Sequence, residues 1–219
     1  MNTTHADAVP VVYDLRLIGR NLLIVVPWTS FLYIGYQLTN RYQLRSPATL
    51  PMLPFEQDIP FLVWTVLPYF LLIGGMYLPV LLQSRARLLE SMIALTVTVT
   101  INYSIFIFYP TVFERPPTPA GDGLAETLYR WLISIDTPAN CFPSGHISVP
   151  AIGCWYLLHE RSRTRGRWIT VVYAVLALSV LTTKQHYAID ILGGLVTATV
   201  GIILGSRLAR RFRIAERWA

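Results

Sequence analysis

The chain has 219 residues, 53% of them hydrophobic and only 14% charged, with a formal net charge of +6 and a mean hydropathy of +0.47. Soluble domains carry about 25% charged residues, so this composition excludes a soluble enzyme, a disordered tail and a disulfide-stapled secreted module. It predicts an all-α polytopic membrane protein: one domain over residues 1–219, with six transmembrane helices in a single bundle.

Residues 1–14 are polar and acidic, and no basic stretch precedes the first apolar run, so no cleavable signal peptide is expected. A bilayer core takes about 20 apolar residues of helix, and spans are expected at 22–38, 59–82, 91–109, 143–158, 168–183 and 187–206. Pro60, Pro68 and Pro79 predict kinks in the second span. The loop 110–142 is the longest. Its proline- and glycine-rich part, 116–123, reads as irregular. Leu124, Leu128, Trp131, Leu132 and Ile135 then recur on one helical face. They predict a short helix that either lies in the membrane interface or packs on the bundle. Gly193-Gly194 in the last span reads as close helix packing. The segment 207–218 is basic and amphipathic, an anchor for anionic lipid.

Every basic residue except Lys184 is an arginine, mostly just beyond an apolar run, which argues for membrane orientation and against nucleic acid. Thirteen of the eighteen share a face with both termini and the loops after spans two and four. They are Arg16 and Arg20, Arg85 and Arg87, the four of 161–167, and the five of 207–217. Arg41, Arg45, Arg115, Arg130 and Lys184 take the other face. The arginine-rich face is therefore expected in the cytoplasm, as for a plasma or bacterial inner membrane.

Three pieces of sequence converge on the non-cytoplasmic face. They are Glu114-Arg115-Pro116, Pro143-Ser144-Gly145-His146 and the turn from Lys184 to Asp190. Ionisable groups at membrane depth are costly, so a functional site is the default reading. Ser144 can cap a helix start, and Gly145 lets a backbone approach closely, which suits a phosphate at the helix N-terminus. His146 in that first turn can give a proton to a leaving group. His186 and Asp190, four apart, share a helical face, so Asp190 can orient an imidazole that acts as nucleophile. Arg115 and Lys184 bring positive charge for the transition state.

Blander readings exist for each piece. A His-x-x-x-Asp pair arises often by chance, and Pro-Ser-Gly is an ordinary helix start. Two histidines and a carboxylate also match zinc ligand types, but the cations and helix start beside them suit an anion better. Cys141 in a loop and Cys154 in an apolar run are not expected to pair. His5 and His159 read as solvated histidines without a role.

At these residues the chain resembles the type 2 phosphatidic acid phosphatase family, whose motifs are Lys-x6-Arg-Pro, Pro-Ser-Gly-His and Ser-Arg-x5-His-x3-Asp. The second is complete as Pro143 to His146, and the third keeps Ser179, His186 and Asp190. The resemblance implies a six-helix membrane enzyme in which His186 forms a phosphohistidine and Asp190 orients it. His146 acts as general acid and then base. It implies no metal or other cofactor. Two positions depart: the lysine of the first motif is Phe108, and the arginine of the third is Val180. Lys184 is read as a stand-in for one lost cation. The Lys184 to Asp190 string is also similar to the inositol phosphorylceramide and sphingomyelin synthase branch, which moves a phosphorylated head group between lipids.

The expected activity is thus hydrolysis of a lipid phosphate or diphosphate ester at the outer membrane face, with the transferase as same-fold rival. A transporter or non-catalytic lipid-binding protein is the alternative from another class. Against it, the polar residues gather at one face and do not line a path through the midplane.

Overall fold

The computed structural model describes residues 14–160 and 163–212. The expectations for residues 1–13, for Arg161, and for the tail beyond Phe212 lie outside them.

Helix α1 (Leu15–Arg41) begins where the Asp14 carboxylate accepts from the Arg16 amide at 2.9 Å, satisfying one orphan donor of the first turn. The second apolar run forms three pieces: a 3-10 turn (Val63–Thr65), helix α2 (Val66–Ile73) and a 3-10 segment (Gly74–Leu81). The anticipated distortion thus takes the form of 3-10 winding that starts at Gly74-Gly75 and contains Pro79. Carbonyls freed at its end are met by α1: buried Asn21 donates to the carbonyls of Val80 (3.0 Å) and Leu82 (2.7 Å). An amide inside an apolar bundle is stable only with such partners.

Helix α3 (Arg85–Phe108) is capped by the Ser84 hydroxyl. It packs against α8 (Ala188–Arg211) through small residues. A Cβ on Gly205 would come within 2.7 Å of the Ala94 Cα, so glycine sets the spacing of the two helices. Between them in sequence come α4 (Leu124–Ile135), α5 (Gly145–Leu158), α6 (Arg163–Ala177) and the single turn α7 (Ser179–Thr182). Two short strands, β1 (Ala48–Thr49) and β2 (Thr111–Val112), pair in parallel and tie two loops together.

Helix α4 packs on the bundle, with Leu124 (68%) and Trp131 (52%) of the anticipated face left exposed. Tyr129 and Leu132 are buried against α2 and the 3-10 turn, and Tyr129 meets the Phe61 ring at 5.1 Å. Residues 116–122 carry no regular structure.

Among the described residues, five stretches are long and apolar enough to cross a membrane: Leu15–Arg41, Val63–Leu81, Arg85–Phe108, Thr164–Thr182 and Ala188–Arg211. The expected fourth span is shorter. Helix α5 has 14 residues, about 21 Å at 1.5 Å per residue, against a hydrocarbon core of about 30 Å. It sits in the centre of the bundle, in contact with α3, α6 and α8. Just beyond its end, the Glu160 carboxylate accepts from the Gln83 and Ser84 amides at the start of α3. The outside of the bundle is apolar: Leu23 is 78% exposed and Trp168 68%, the surface of a protein whose solvent is hydrocarbon. Two larger cores and a small one around Phe113, Cys141 and Tyr187 lie within the described residues. Of the larger two, one joins α1, α3, α5 and α8 around Val25, Leu88 and Ile152; the other joins α2, α4, α5 and α7 around Tyr69, Tyr129 and Val180.

Candidate active site

Chain reversal after α7 brings His186 to the site. Lys184 adopts φ 52°, the left-handed conformation typical of a helix end. The amides of Gln185 and His186 then fold back on the Val180 carbonyl. One turn later α8 starts, with Asp190 at its third position, where the Tyr187 amide donates to Asp190 Oδ2 at 2.8 Å. The positive end of the helix dipole favours a carboxylate there.

The start of α5 is pinned to the same place. The Ser144 amide donates to the Asp190 carbonyl at 3.0 Å. Gly194 makes this approach possible, because a Cβ there would lie 2.6 Å from the Ser144 carbonyl oxygen. The Gly193-Gly194 pair thus packs α8 on Phe142 and the α5 start. The anticipated hydroxyl cap does not form: the Ser144 carbonyl, and not its side chain, receives the Ile147 and Ser148 amides. Its hydroxyl is buried with no partner among the described residues. A Cβ on Gly145 would meet nothing within 4 Å. The first amides of α5 lack intrahelical acceptors, as at any helix start, so this end of the helix can receive an anion.

His146, His186 and Asp190 form one line. His186 Nδ1 lies 3.2 Å from Asp190 Oδ2, and His186 Nε2 lies 3.0 Å from His146 Nδ1. His146 Nε2 lies 3.1 Å from the Tyr69 hydroxyl. One proton assignment satisfies all three contacts with neutral imidazoles. Tyr69 donates to His146, His146 donates to His186 through Nδ1, and His186 donates to Asp190 through Nδ1. Asp190 thereby leaves His186 Nε2 with its lone pair.

Arg115 stands on the other side of the turn. Its guanidinium donates to the Asp136 carbonyl (2.7 Å), the Thr137 carbonyl (3.3 Å) and Gln185 Oε1 (2.9 Å), and it lies 3.6 Å from Asp136 Oδ2. Asp136 also accepts from the Tyr36 hydroxyl at 2.8 Å. Burial pushes the Asp136 carboxyl above its ordinary range, opposed by the Tyr36 hydrogen bond and the Arg115 charge. Lys184 donates to the carbonyls of Ile59 (2.6 Å) and Glu56 (3.4 Å), and it shares a small cavity with His186. Of the ammonium's three protons, two are therefore engaged. Phe108 is exposed at the end of α3, and Val180 is wholly buried in the core. Neither position supplies a cation.

All seven residues singled out from sequence lie at this end of the bundle. Tyr69, Gln185, Asp136 and Tyr36 were not foreseen. A buried tyrosine hydroxyl needs a partner, and that rule was the one signal available for Tyr69 and Tyr36.

Ligand atoms of Cys141, His186 and Asp190 lie within 4.8 Å of one another, a spacing that a metal ion could bridge. The donor chemistry fits poorly. Metal ligation needs a thiolate, whereas burial and the neighbouring Asp190 push the Cys141 thiol up. The thiol lies against the Pro138 and Gln185 carbonyls as a donor.

A mostly helical chain with several membrane-length apolar helices, carrying two histidines in contact at the start of α5, defines the class. The chain belongs to the PAP2 superfamily, the type 2 phosphatidic acid phosphatases and their relatives, whose family model matches residues 86–214. Members act on phosphate esters as hydrolases or phosphotransferases. No curated protein and no solved structure matches the chain.

Proposed function

We propose that this protein is an integral membrane phosphatase that hydrolyses a lipid phosphate or diphosphate ester through a phosphohistidine on His186. The observation that carries the reading is the alignment of His146, His186 and Asp190 at 3.0 and 3.2 Å. The phosphate displaces His146 from His186 Nε2, and that lone pair attacks phosphorus. Asp190 stabilises the positive imidazole as the N–P bond forms. The bound anion favours the charged form of His146, which protonates the leaving lipid oxygen. His146 then takes a proton from water as that water attacks the phosphohistidine. Tyr69 serves both states, since a hydroxyl accepts as well as donates. The amides of Gly145 and His146, the Ser144 hydroxyl, Arg115 and the remaining Lys184 proton bind the phosphoryl oxygens.

Helix α5 and its flanking residues make the sixth passage of the bundle. Arg85, Arg87, Arg207, Arg210 and Arg211 lie at the end away from the histidines, so the positive-inside rule puts the site on the non-cytoplasmic face. Reporter fusions after Ala219 and within 116–123 should report opposite compartments.

One observation favours the transferase. Arg115 is accompanied by Asp136, and a weakly positive site suits a phosphodiester, with one negative charge, better than a monoester with nearly two.

The deciding experiment supplies purified protein with labelled phosphatidic acid, and separately with a phosphodiester lipid plus a lipid alcohol. Free phosphate from the first supports hydrolysis; head-group transfer in the second alone replaces it with the rival. In either case His186→Ala should abolish an acid-labile, base-stable phosphoprotein. Near-normal turnover by that variant would overturn the mechanism.

A further inference from the structure

One buried carboxylate at this end of the bundle lies outside the line of histidines. Glu56, in the loop between α1 and α2, ends a separate 3-10 turn (Pro54–Glu56) and is only 4% exposed. Its own turn fixes it, because Oε2 accepts from the Leu53 amide at 2.7 Å. Oε1 is thereby left for the amide of Ala188, 132 positions along the chain, which donates to it at 2.6 Å. Ala188 is the first residue of α8. Glu56 forms no ion pair among the described residues, and the Lys184 ammonium meets its backbone carbonyl. A buried carboxylate without a cation is costly; here two amides and the positive end of the α8 dipole compensate it.

Two carboxylates thus serve two successive amides at the start of α8. Asp190 Oδ2 takes the Tyr187 amide at 2.8 Å and faces His186 Nδ1 at 3.2 Å. Glu56 takes the next amide, that of Ala188. Asp190 Oδ1 is buried with no partner among the described residues, so it would accept from a donor left open beside it. The Ala188 amide would be such a donor without Glu56, since the first amides of a helix have no intrahelical acceptor, and leaving one unpaired away from water is costly. A turn of the Asp190 carboxylate toward it would draw Oδ2 off His186. The same loop grips the other side of the turn, where the Lys184 ammonium donates to the Ile59 carbonyl at 2.6 Å. His186 is therefore braced two residues before and two residues after itself.

We infer that Glu56 is a positioning residue for His186: by holding the first amide of α8, it keeps the Asp190 carboxylate on the imidazole. It acts through Asp190 and touches no substrate. The inference rests on the proposed phosphohistidine only for its effect on turnover. A nucleophile misaimed by a small rotation loses rate while substrate binding is little altered, so the loss belongs in kcat.

The test reads the hydrogen bond itself, so it stands whether or not His186 is the nucleophile. The full chain in detergent, carrying isotope-labelled histidine, should show the His186 Nδ1 proton far downfield in its magnetic resonance spectrum, as for an imidazole bonded to a buried carboxylate. His186→Ala assigns that signal. In Glu56→Ala it should move upfield or be lost to exchange with water. With the lipid phosphate or phosphodiester pair that the protein turns over, kcat per folded molecule should fall about tenfold, the order of one misplaced hydrogen bond. KM should change by less than about twofold. Glu56→Asp, still charged but one methylene too short to span from Leu53 to Ala188, should reproduce both changes and remains informative if Glu56→Ala fails to fold. Glu56→Gln, which can still accept from one amide, should fall between wild type and Glu56→Ala. A purely structural role would leave the signal in place and lower only the folded fraction. No such signal in wild type, an unmoved one in folded Glu56→Ala or Glu56→Asp, or a raised KM with kcat intact would overturn the inference. Turnover retained by His186→Ala would instead remove the phosphohistidine reading, and the signal alone would then decide whether Glu56 braces His186.

Discussion

His146 Nδ1 and His186 Nε2 lie 3.0 Å apart, so each histidine shields the atom the other needs for chemistry. The proposed nucleophile is capped by a hydrogen bond until a phosphate enters between the two rings. A ligand that displaces this contact replaces one hydrogen bond with several charge-assisted ones at the α5 start. Asp190 and Tyr69 hold the two ends of the line, so the rings stay aimed at the gap when the central bond opens.

Tyr69 should therefore be a positioning residue for His146. Tyr69→Phe removes one hydrogen bond, worth about 1 kcal/mol, and is expected to lower kcat by roughly fivefold to tenfold with KM little changed. The pH–rate profile should also shift, because the hydroxyl contacts the imidazole that exchanges protons. A variant with an unaltered profile and a raised KM would assign Tyr69 to packing alone.

Two glycines in the site should behave in opposite ways. Gly194→Ala sets a methyl 2.6 Å from the Ser144 carbonyl oxygen, and backbone must move to admit it. It is expected to destabilise the fold by about 1–3 kcal/mol and to impair turnover with it. Gly145→Ala adds a methyl to open space. Its melting temperature should stay near wild type while KM rises, since the methyl takes room that the phosphate needs. Thermal melting in detergent, read beside kinetics, separates the two.

The line His146, His186 and Asp190 was legible in the sequence because its members lie within two short motifs whose spacing has a helical meaning. The polar network behind them was not. Tyr36 and Asp136 are 100 residues apart, and no local period links a tyrosine in the first span to an aspartate at the end of α4. The place of Lys184 in the chain put it beside His186, but its carbonyl partners come from a turn more than a hundred residues upstream. The run 143–158 was already short for a span in the sequence, with His146 near its start, and helix α5 keeps it short by beginning only after Pro143-Ser144.

Asp136 yields a pH dependence of stability with a definite sign. Burial raises its folded carboxyl above the ordinary 3.8, so between the two values the folded protein binds more protons than the unfolded chain. Stability contributed by this group is full below the ordinary value and is lost as pH rises through the raised one. Asp136→Asn keeps an acceptor for Tyr36 and cannot ionise. Its melting temperature should gain on wild type as pH increases across that window, and the difference should level off above it. A wild-type advantage that grows with pH would mean that Arg115 outweighs burial at Asp136.

Chelation tests the remaining chemistry. A metal held by Cys141, His186 and Asp190 would need a lone pair on His186, and either ring nitrogen it took would cost a function. Ligation at Nδ1 removes the hydrogen bond to Asp190; ligation at Nε2 removes the nucleophile. Cys141, moreover, sits as a buried thiol against carbonyl oxygens. Added EDTA should leave turnover unchanged, and Cys141→Ala should keep it within about threefold, a packing loss of well under 1 kcal/mol. Inactivation by EDTA that zinc reverses, together with loss of that zinc in Cys141→Ala, would instead make the trio a metal site. His186 would then be a ligand, and the phosphoryl group would have to be attacked by metal-bound water.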